Sequence, residues 1–186
     1  MTRLAINGYG RIGRAVLRAL QESPHRDELS VVAINELADS ATVAHLTRYD
    51  STHGRFPGTV ELDGDRLRIG GQEKRLLREA SIADLDWAAL GVDMVLECTG
   101  AFTDRSTAEL HLSAGAHRVL FSQPAQSDVD ATVVFGINQS VLQPGHTVVS
   151  AASCTTNGIV PVIAALQQAF GIEYGTITTI HSAMND

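Results

Sequence analysis

The sequence predicts an α/β protein: a doubly wound parallel sheet with helices on both faces, followed by the start of an α+β unit. Three observations carry that expectation. Short apolar, β-rich runs alternate with runs of helical period through residues 1–150. The first strand leads straight into "NGYGRIG", a glycine-spaced turn that opens a helix. Beyond residue 151 the pattern changes to one apolar helix and then to a run alternating threonine with apolar residues.

Taken in order, residues 3–7 read as a short buried strand and 11–22 as a helix, with Ile12, Val16, Ala19 and Leu20 at helical spacing. "SVVAIN" (30–35) is the second strand, and residues 40–46 the second helix. Residues 58–78 carry short alternating runs with Asp-Gly and Gly-Gly turns, expected as antiparallel strands at one edge. "VDMVLECTG" (92–100) returns to a continuous apolar strand, and 106–114 to a helix. "HRVLFS", "TVVF" and "HTVVSA" are further strands. Strand–helix alternation with right-handed crossovers makes 1–150 a Rossmann-type nucleotide-binding domain. After a helix over 159–170, "YGTITTIH" is expected as one strand of a separate antiparallel sheet, so a second domain is placed over 151–186. One helix and one strand cannot bury a core of their own. The expectation is therefore the N-terminal part of a catalytic domain whose remainder is missing.

Composition narrows the function classes. The chain has 186 residues, 44% hydrophobic and 19% charged, which fits a globular fold. A net charge of −7 without a basic tract argues against a nucleic-acid partner held by counterion release. Two cysteines, Cys98 and Cys154, are too few for a disulfide framework and point to a reducing compartment. The start lacks the apolar core of a signal peptide, and no run approaches a membrane span. A cytoplasmic protein is expected. The seven histidines and two cysteines show no Cys-x-x-Cys or His-x-x-x-His spacing, so no metal site is expected.

The glycine turn supplies Gly8, Gly10 and Gly13. In such a turn the first glycine permits the tight bend, the second lets a pyrophosphate approach the backbone, and the third lets helix and strand pack closely. Free N–H groups at the helix start then face phosphates. An acid is expected about 20 residues further on, at the end of the second strand, and Glu36 stands there. A carboxylate at that place accepts from ribose hydroxyls and repels a 2′-phosphate, which favours NAD over NADP. Cys98, inside a strand, reads as a small hydrophobe.

Cys154 lies in "AASCTTNG", between a β-rich run and the apolar helix. Ser153 can cap that helix, and a thiol at its start has its thiolate favoured by the dipole. His181 follows the next β-like run. Residue types alone leave Cys154 open between packing residue and nucleophile, and His181 between structural and catalytic. A reactive thiol beside NAD has a coherent chemistry: sulfur adds to an aldehyde, hydride leaves to the cofactor, and a thioester remains for an acyl acceptor.

Together "INGYGRIGR", "LGVDMVLECTG", "SCTTN" and the histidine after "TITTI" resemble the phosphorylating glyceraldehyde-3-phosphate dehydrogenase superfamily along the whole chain. "AINELAD", "YDSTHGRF" and the terminal "HSAMND" resemble one branch of it, the D-erythrose-4-phosphate dehydrogenases. The resemblance implies Cys154 as nucleophile and His181 as its activating base. It implies NAD contacts from Arg11 and Ile12, Glu36 as the ribose acid, and Thr99, Gly100 and Ser122 on the nicotinamide side. Ser153 and Thr155 flank the nucleophile at the substrate. An aldose phosphate substrate, thioester hydrolysis by water, a place in pyridoxal 5′-phosphate biosynthesis and a homotetramer of the full-length chain follow by the same resemblance. Three positions depart from many relatives: Gly158 replaces a second cysteine, Ala80 an arginine, and Met184 a threonine whose hydroxyl helps hold the substrate phosphate. Methionine has no donor to offer there. The alternatives are a glyceraldehyde-3-phosphate dehydrogenase, a cofactor-binding module without turnover, and a cysteine hydrolase needing no NAD.

Overall fold

The computed structural model describes residues 1–181. Its centre is a nine-stranded sheet. The strands are β1 (Thr2–Asn7), β2 (Leu29–Asn35), β5 (Val60–Asp63), β6 (Arg66–Ile69), β7 (Gln72–Leu77), β8 (Met94–Glu97), β9 (Arg118–Phe121), β10 (Ala131–Thr132) and β11 (Val148–Ser150), in the order β10-β11-β9-β8-β1-β2-β7-β6-β5. From β10 to β7 every neighbour is parallel; β6 and β5 close the far edge as antiparallel strands. A two-stranded hairpin of β3 (Tyr49–Asp50) and β4 (Gly54–Arg55) stands apart. The helices are α1 (Arg11–Glu22), α2 (Ser40–Arg48), α3 (Arg105–Ser113) and α4 (Cys154–Phe170).

The central strands are buried on both faces, which is why they read as continuous apolar runs. Leu4 and Ile6 of β1 join Leu17 and Leu20 of α1 and Val43 and Ala44 of α2 in one core. Ala5, one residue out of phase, meets Val95, Trp87 and Val92 on the other face. A third cluster joins Ala108 of α3 to Val119, Phe121 and Val148. Each fully buried Leu or Ile contributes about 1.5–3 kcal/mol relative to exposure.

Three expectations need correction. The inward stripe of α1 is Gly13-Leu17-Leu20, and Ile12 is 43% exposed. Hydrophobicity misses this face because its tightest contact is made by a glycine. The strand read over 132–135 ends early: Val133 N–H still donates to the Ser150 carbonyl at 2.8 Å, but Val134 N–H turns to the Asn138 side chain at 2.7 Å and the chain leaves the sheet. Residues 174–181 form no strand among the described residues. A strand needs a neighbour for its N–H and C=O groups, and no described segment pairs with this one; Tyr174 and Ile180 are 91% and 98% exposed. The expected position of Met184 lies outside the described residues.

Candidate active site

The parallel strands present their carboxyl ends along one edge, and the glycine turn sits there between β1 and α1. Gly8 has φ of 86°, and a Cβ on it would lie 2.6 Å from the Thr99 nitrogen and 2.8 Å from the Cys98 carbonyl carbon. That position demands glycine on both conformation and space. A Cβ on Gly13 would strike the Gly8 carbonyl oxygen and touch Ile6 at 3.0 Å, so α1 lies as close to β1 as backbone permits. A Cβ on Gly10 would meet nothing within 4 Å. The space above Gly10 is the open approach that a pyrophosphate needs, at a helix start whose side-chain cap is absent.

Beside this turn lies a cavity of about 370 Å³. Gly8, Gly10, Glu36 and Thr99 line it, with Ala80, Ile82 and Phe102 among the other walls. Glu36 immediately follows β2 and accepts from the Tyr9 N–H at 2.8 Å and the Ala38 N–H at 3.2 Å. Its carboxylate therefore braces the glycine turn as well as facing the cavity. Arg11 and Ile12 open α1 and are exposed. Gly100 follows at φ of 77° with open space around it. Ser122 lies one strand over, after β9; its hydroxyl contacts Gln123 at 2.8 Å and the Cys98 thiol. Burial pushes that thiol up to about 11, so Cys98 is an inert wall residue.

Sequence reasoning missed a polar layer beneath the edge. Asn7, Asn35 and Glu97 end β1, β2 and β8 in the same register. All three are buried. Asn35 Nδ2 donates to Asn7 Oδ1 at 2.8 Å, and Asn7 Nδ2 to Glu97 Oε2 at 2.6 Å. Thr99 donates its N–H at 2.9 Å, and its hydroxyl, to Glu97 Oε1. Glu97 Oε2 also meets His111 Nε2 at 3.1 Å, while His111 Nδ1 accepts from Trp87 Nε1 at 3.0 Å. An indole N–H only donates, so Nδ1 carries no proton and His111 is neutral, donating through Nε2. Burial alone would raise the Glu97 carboxyl, but hydrogen bonds from His111, Thr99 and Asn7 outweigh it and hold it below the usual carboxylate range. The layer thus holds one buried anion stabilised by neutral donors. Its signal in the sequence is that three apolar runs each end on a polar residue.

Further along the same edge, β11 runs into the start of α4 with Cys154 as first helical residue. Ser153 caps the helix, its Oγ accepting from the Thr156 N–H at 2.9 Å. Cys154 Sγ is exposed and lies 3.5 Å from His181 Nε2. The His181 hydrogen bond first and then the Thr155 hydroxyl lower the thiol below its ordinary range; desolvation opposes them, and the Thr155 N–H adds a smaller lowering. Sequence-distant Cys154 and His181 are thus brought together, with Ser153 and Thr155 flanking them. Gly158 has open space around it. No cluster able to hold a metal ion occurs among the described residues.

A doubly wound sheet with a phosphate-ready glycine turn and an acid at the end of its second strand defines a dinucleotide-binding protein. Residues 2–105 match the family model described as glyceraldehyde 3-phosphate dehydrogenase, NAD binding domain, and residues 153–186 match the model of the glyceraldehyde 3-phosphate dehydrogenase C-terminal domain. The chain belongs to the glyceraldehyde 3-phosphate dehydrogenase family, an NAD-dependent oxidoreductase family, and its cofactor is NAD. The cradle fits that cofactor: open backbone above Gly10, and Glu36 facing the cavity. No described helix is long and apolar enough to cross a membrane.

Proposed function

We propose that this chain oxidises an aldose phosphate with NAD through a thioester on Cys154, with D-erythrose 4-phosphate as preferred substrate and 4-phospho-D-erythronate as product. The observation that carries the chemistry is the 3.5 Å contact of Cys154 Sγ with His181 Nε2 at the start of α4. In this scheme the Cys154 thiolate adds to the aldehyde carbon. N–H groups at the start of α4 would face the developing oxyanion; His181, holding the proton taken from the thiol, gives it to that oxygen and takes it back as the oxygen becomes a carbonyl and the hydride leaves. NAD, when bound, accepts the hydride. Water then attacks the thioester carbon, and the departing sulfur is again stabilised by Thr155 and His181. Gly8, Gly10, Arg11, Ile12, Gly13 and Glu36 would hold the dinucleotide, with Thr99, Gly100 and Ser122 towards its reactive half. Ser153 and Thr155 would flank the substrate. The division near residue 151 into a cofactor-binding part and a catalytic part belongs to the same scheme, as does a homotetramer of the full-length protein.

The four-carbon substrate rests on "AINELAD", "YDSTHGRF" and "HSAMND" and on Met184 in place of a hydroxyl residue. Loss of one hydrogen bond to a phosphate removes about 1.5–3 kcal/mol of affinity, enough to disfavour the three-carbon substrate's usual binding mode. The same features leave pyridoxal 5′-phosphate biosynthesis as the pathway proposed by resemblance. A second reading, NAD binding with little turnover, is favoured by α4, which buries none of its residues in the described chain. One experiment separates these: NAD titration of the 186-residue chain beside NADH formation from each aldose phosphate. Faster oxidation of glyceraldehyde 3-phosphate overturns the four-carbon assignment. NAD binding without NADH from either substrate supports the binding module. Ester cleavage indifferent to NAD would favour a hydrolase.

A further inference from the structure

The backbone immediately before Cys154 is unusual. Ala152 has φ of 60°, and no other non-glycine residue described has positive φ. It is 4% exposed. For an L-residue with a Cβ this left-handed conformation is costly and persists only where its surroundings over-determine it. Those surroundings are on view. Ser150, fully buried, accepts from the Ala152 N–H at 3.1 Å and donates to the Gln123 carbonyl at 2.8 Å. On the other side, Asn157 Nδ2 donates to the Ala151 carbonyl at 2.7 Å and to the Ser153 carbonyl at 2.9 Å. One amide thus grips the two carbonyls on either side of the strained residue. With both partners being carbonyl oxygens, the amide orientation follows from the contacts.

We infer that Asn157 is a positioning residue for the nucleophile: by clamping the Ala151 and Ser153 carbonyls it holds Ala152 left-handed and fixes where Cys154 enters α4. The groups meeting Sγ are the Thr155 N–H and hydroxyl and His181. Without the clamp the turn relaxes towards a right-handed Ala152, the first helical turn rotates, and the thiolate loses its donors. This rests on Cys154 being the nucleophile, and Asn157 itself touches no reacting atom.

The test is iodoacetamide alkylation of the 186-residue chain as a function of pH, with mass spectrometry locating the label. Cys98, buried and with its thiol pushed up to about 11, stays silent. Wild type should react well below the ordinary thiol range; if it does not, the nucleophile assignment fails rather than the clamp. Asn157→Ala should slow alkylation at neutral pH by about tenfold, the factor matching the cost of one left-handed residue. Its high-pH plateau should be unchanged, with the midpoint moved upwards. Asn157→Asp, which sets a carboxylate against two carbonyls, should do the same. The double variant Asn157→Ala/Ala152→Gly should recover the wild-type profile, because glycine takes positive φ without strain. A wild-type profile in Asn157→Ala, an equal slowing at every pH, or no recovery with Ala152→Gly overturns the inference. So does failure of both single variants to melt cooperatively, since an exposed positioning residue does not carry a fold.

Discussion

Replacing Gly8 and Gly10 separately by alanine should split folding from cofactor binding within one turn. At Gly8 the added methyl would sit 2.6 Å from the Thr99 nitrogen and 2.7 Å from its Cα, at φ of 86°. Positive φ costs alanine about 1–2 kcal/mol. Backbone overlap adds about 1–3 kcal/mol, because neither β1 nor the residues after β8 can retreat without breaking the sheet. The sum, about 2–5 kcal/mol, lowers the melting temperature by roughly 4–20 °C in a domain of this size. At Gly10 φ is −67° and the methyl meets no atom within 4 Å. The only folding cost is the poorer capping of alanine at the start of α1, about 1 kcal/mol. The methyl does occupy the space that a pyrophosphate needs, so NAD affinity should fall by at least about tenfold, or about 1.4 kcal/mol. Thermal melting and NAD titration on both variants measure the two effects. An unchanged NAD affinity in Gly10→Ala would falsify the placement of the phosphates above Gly10. A Gly8→Ala variant melting like wild type would show that β1 and β8 are free to separate.

Two further outcomes follow from buried groups. Lys74 is fully buried in β7, with Gln72 at 3.2 Å as its recorded partner, and desolvation pushes its amine down to about 8. Unfolded chain keeps the ordinary lysine value, so between pH about 8 and about 10.5 it binds more protons than the native state. Native stability therefore rises with pH through that window, and Lys74→Met should abolish the slope while adding about 2–3 kcal/mol at pH 7; urea unfolding at pH 7 and 10 reads both, and a destabilised Lys74→Met contradicts the desolvation account. For His111, nitrogen NMR of histidine-labelled protein should show an unprotonated Nδ1 and a protonated Nε2 at neutral pH. Two protonated ring nitrogens would make the contact with Glu97 an ion pair and the polar layer neutral.

Much of the sheet was legible because its strands are buried on both faces and its helices begin at recognisable signals. The bounds expected for α1 coincide with Arg11–Glu22, where a glycine turn starts the helix and Ser23 ends it. What misled was the face of α1, since a glycine held against the Gly8 carbonyl counts as nothing on a hydrophobicity scale yet marks the closest contact. Residues 174–181 keep the alternation of a strand, but alternation only describes two faces; pairing depends on a neighbour that a local pattern cannot supply. Lys74 was equally hidden, as the inward stripe of β7 is Lys74 and Leu76, and a lysine on such a stripe reads as solvated.

The candidate site divides the same way. Motif spacing points to Gly8 and Gly13 because each meets a local backbone requirement, and to Gly10 and Glu36 because they stand at fixed offsets along the first turn and the second strand. The meeting of Cys154 with His181 is tertiary, and only family resemblance anticipated it. Trp87, His111 and Glu97 form a chain across three separate segments, which no spacing rule connects. Their placement explains a feature of the edge that the motif does not. Thr99 gives both its donors to Glu97, and Asn7 gives its amide to the same carboxylate, so the cavity walls on either side of Gly8 are tied to one buried anion. The steric contact that makes alanine intolerable at Gly8 is made by that tethered Thr99 backbone. The steric part of the glycine requirement at the head of the turn therefore follows from the polar layer beneath it: were Glu97 unable to hold Thr99, the turn would have room to give, and only the φ of 86° would still ask for glycine.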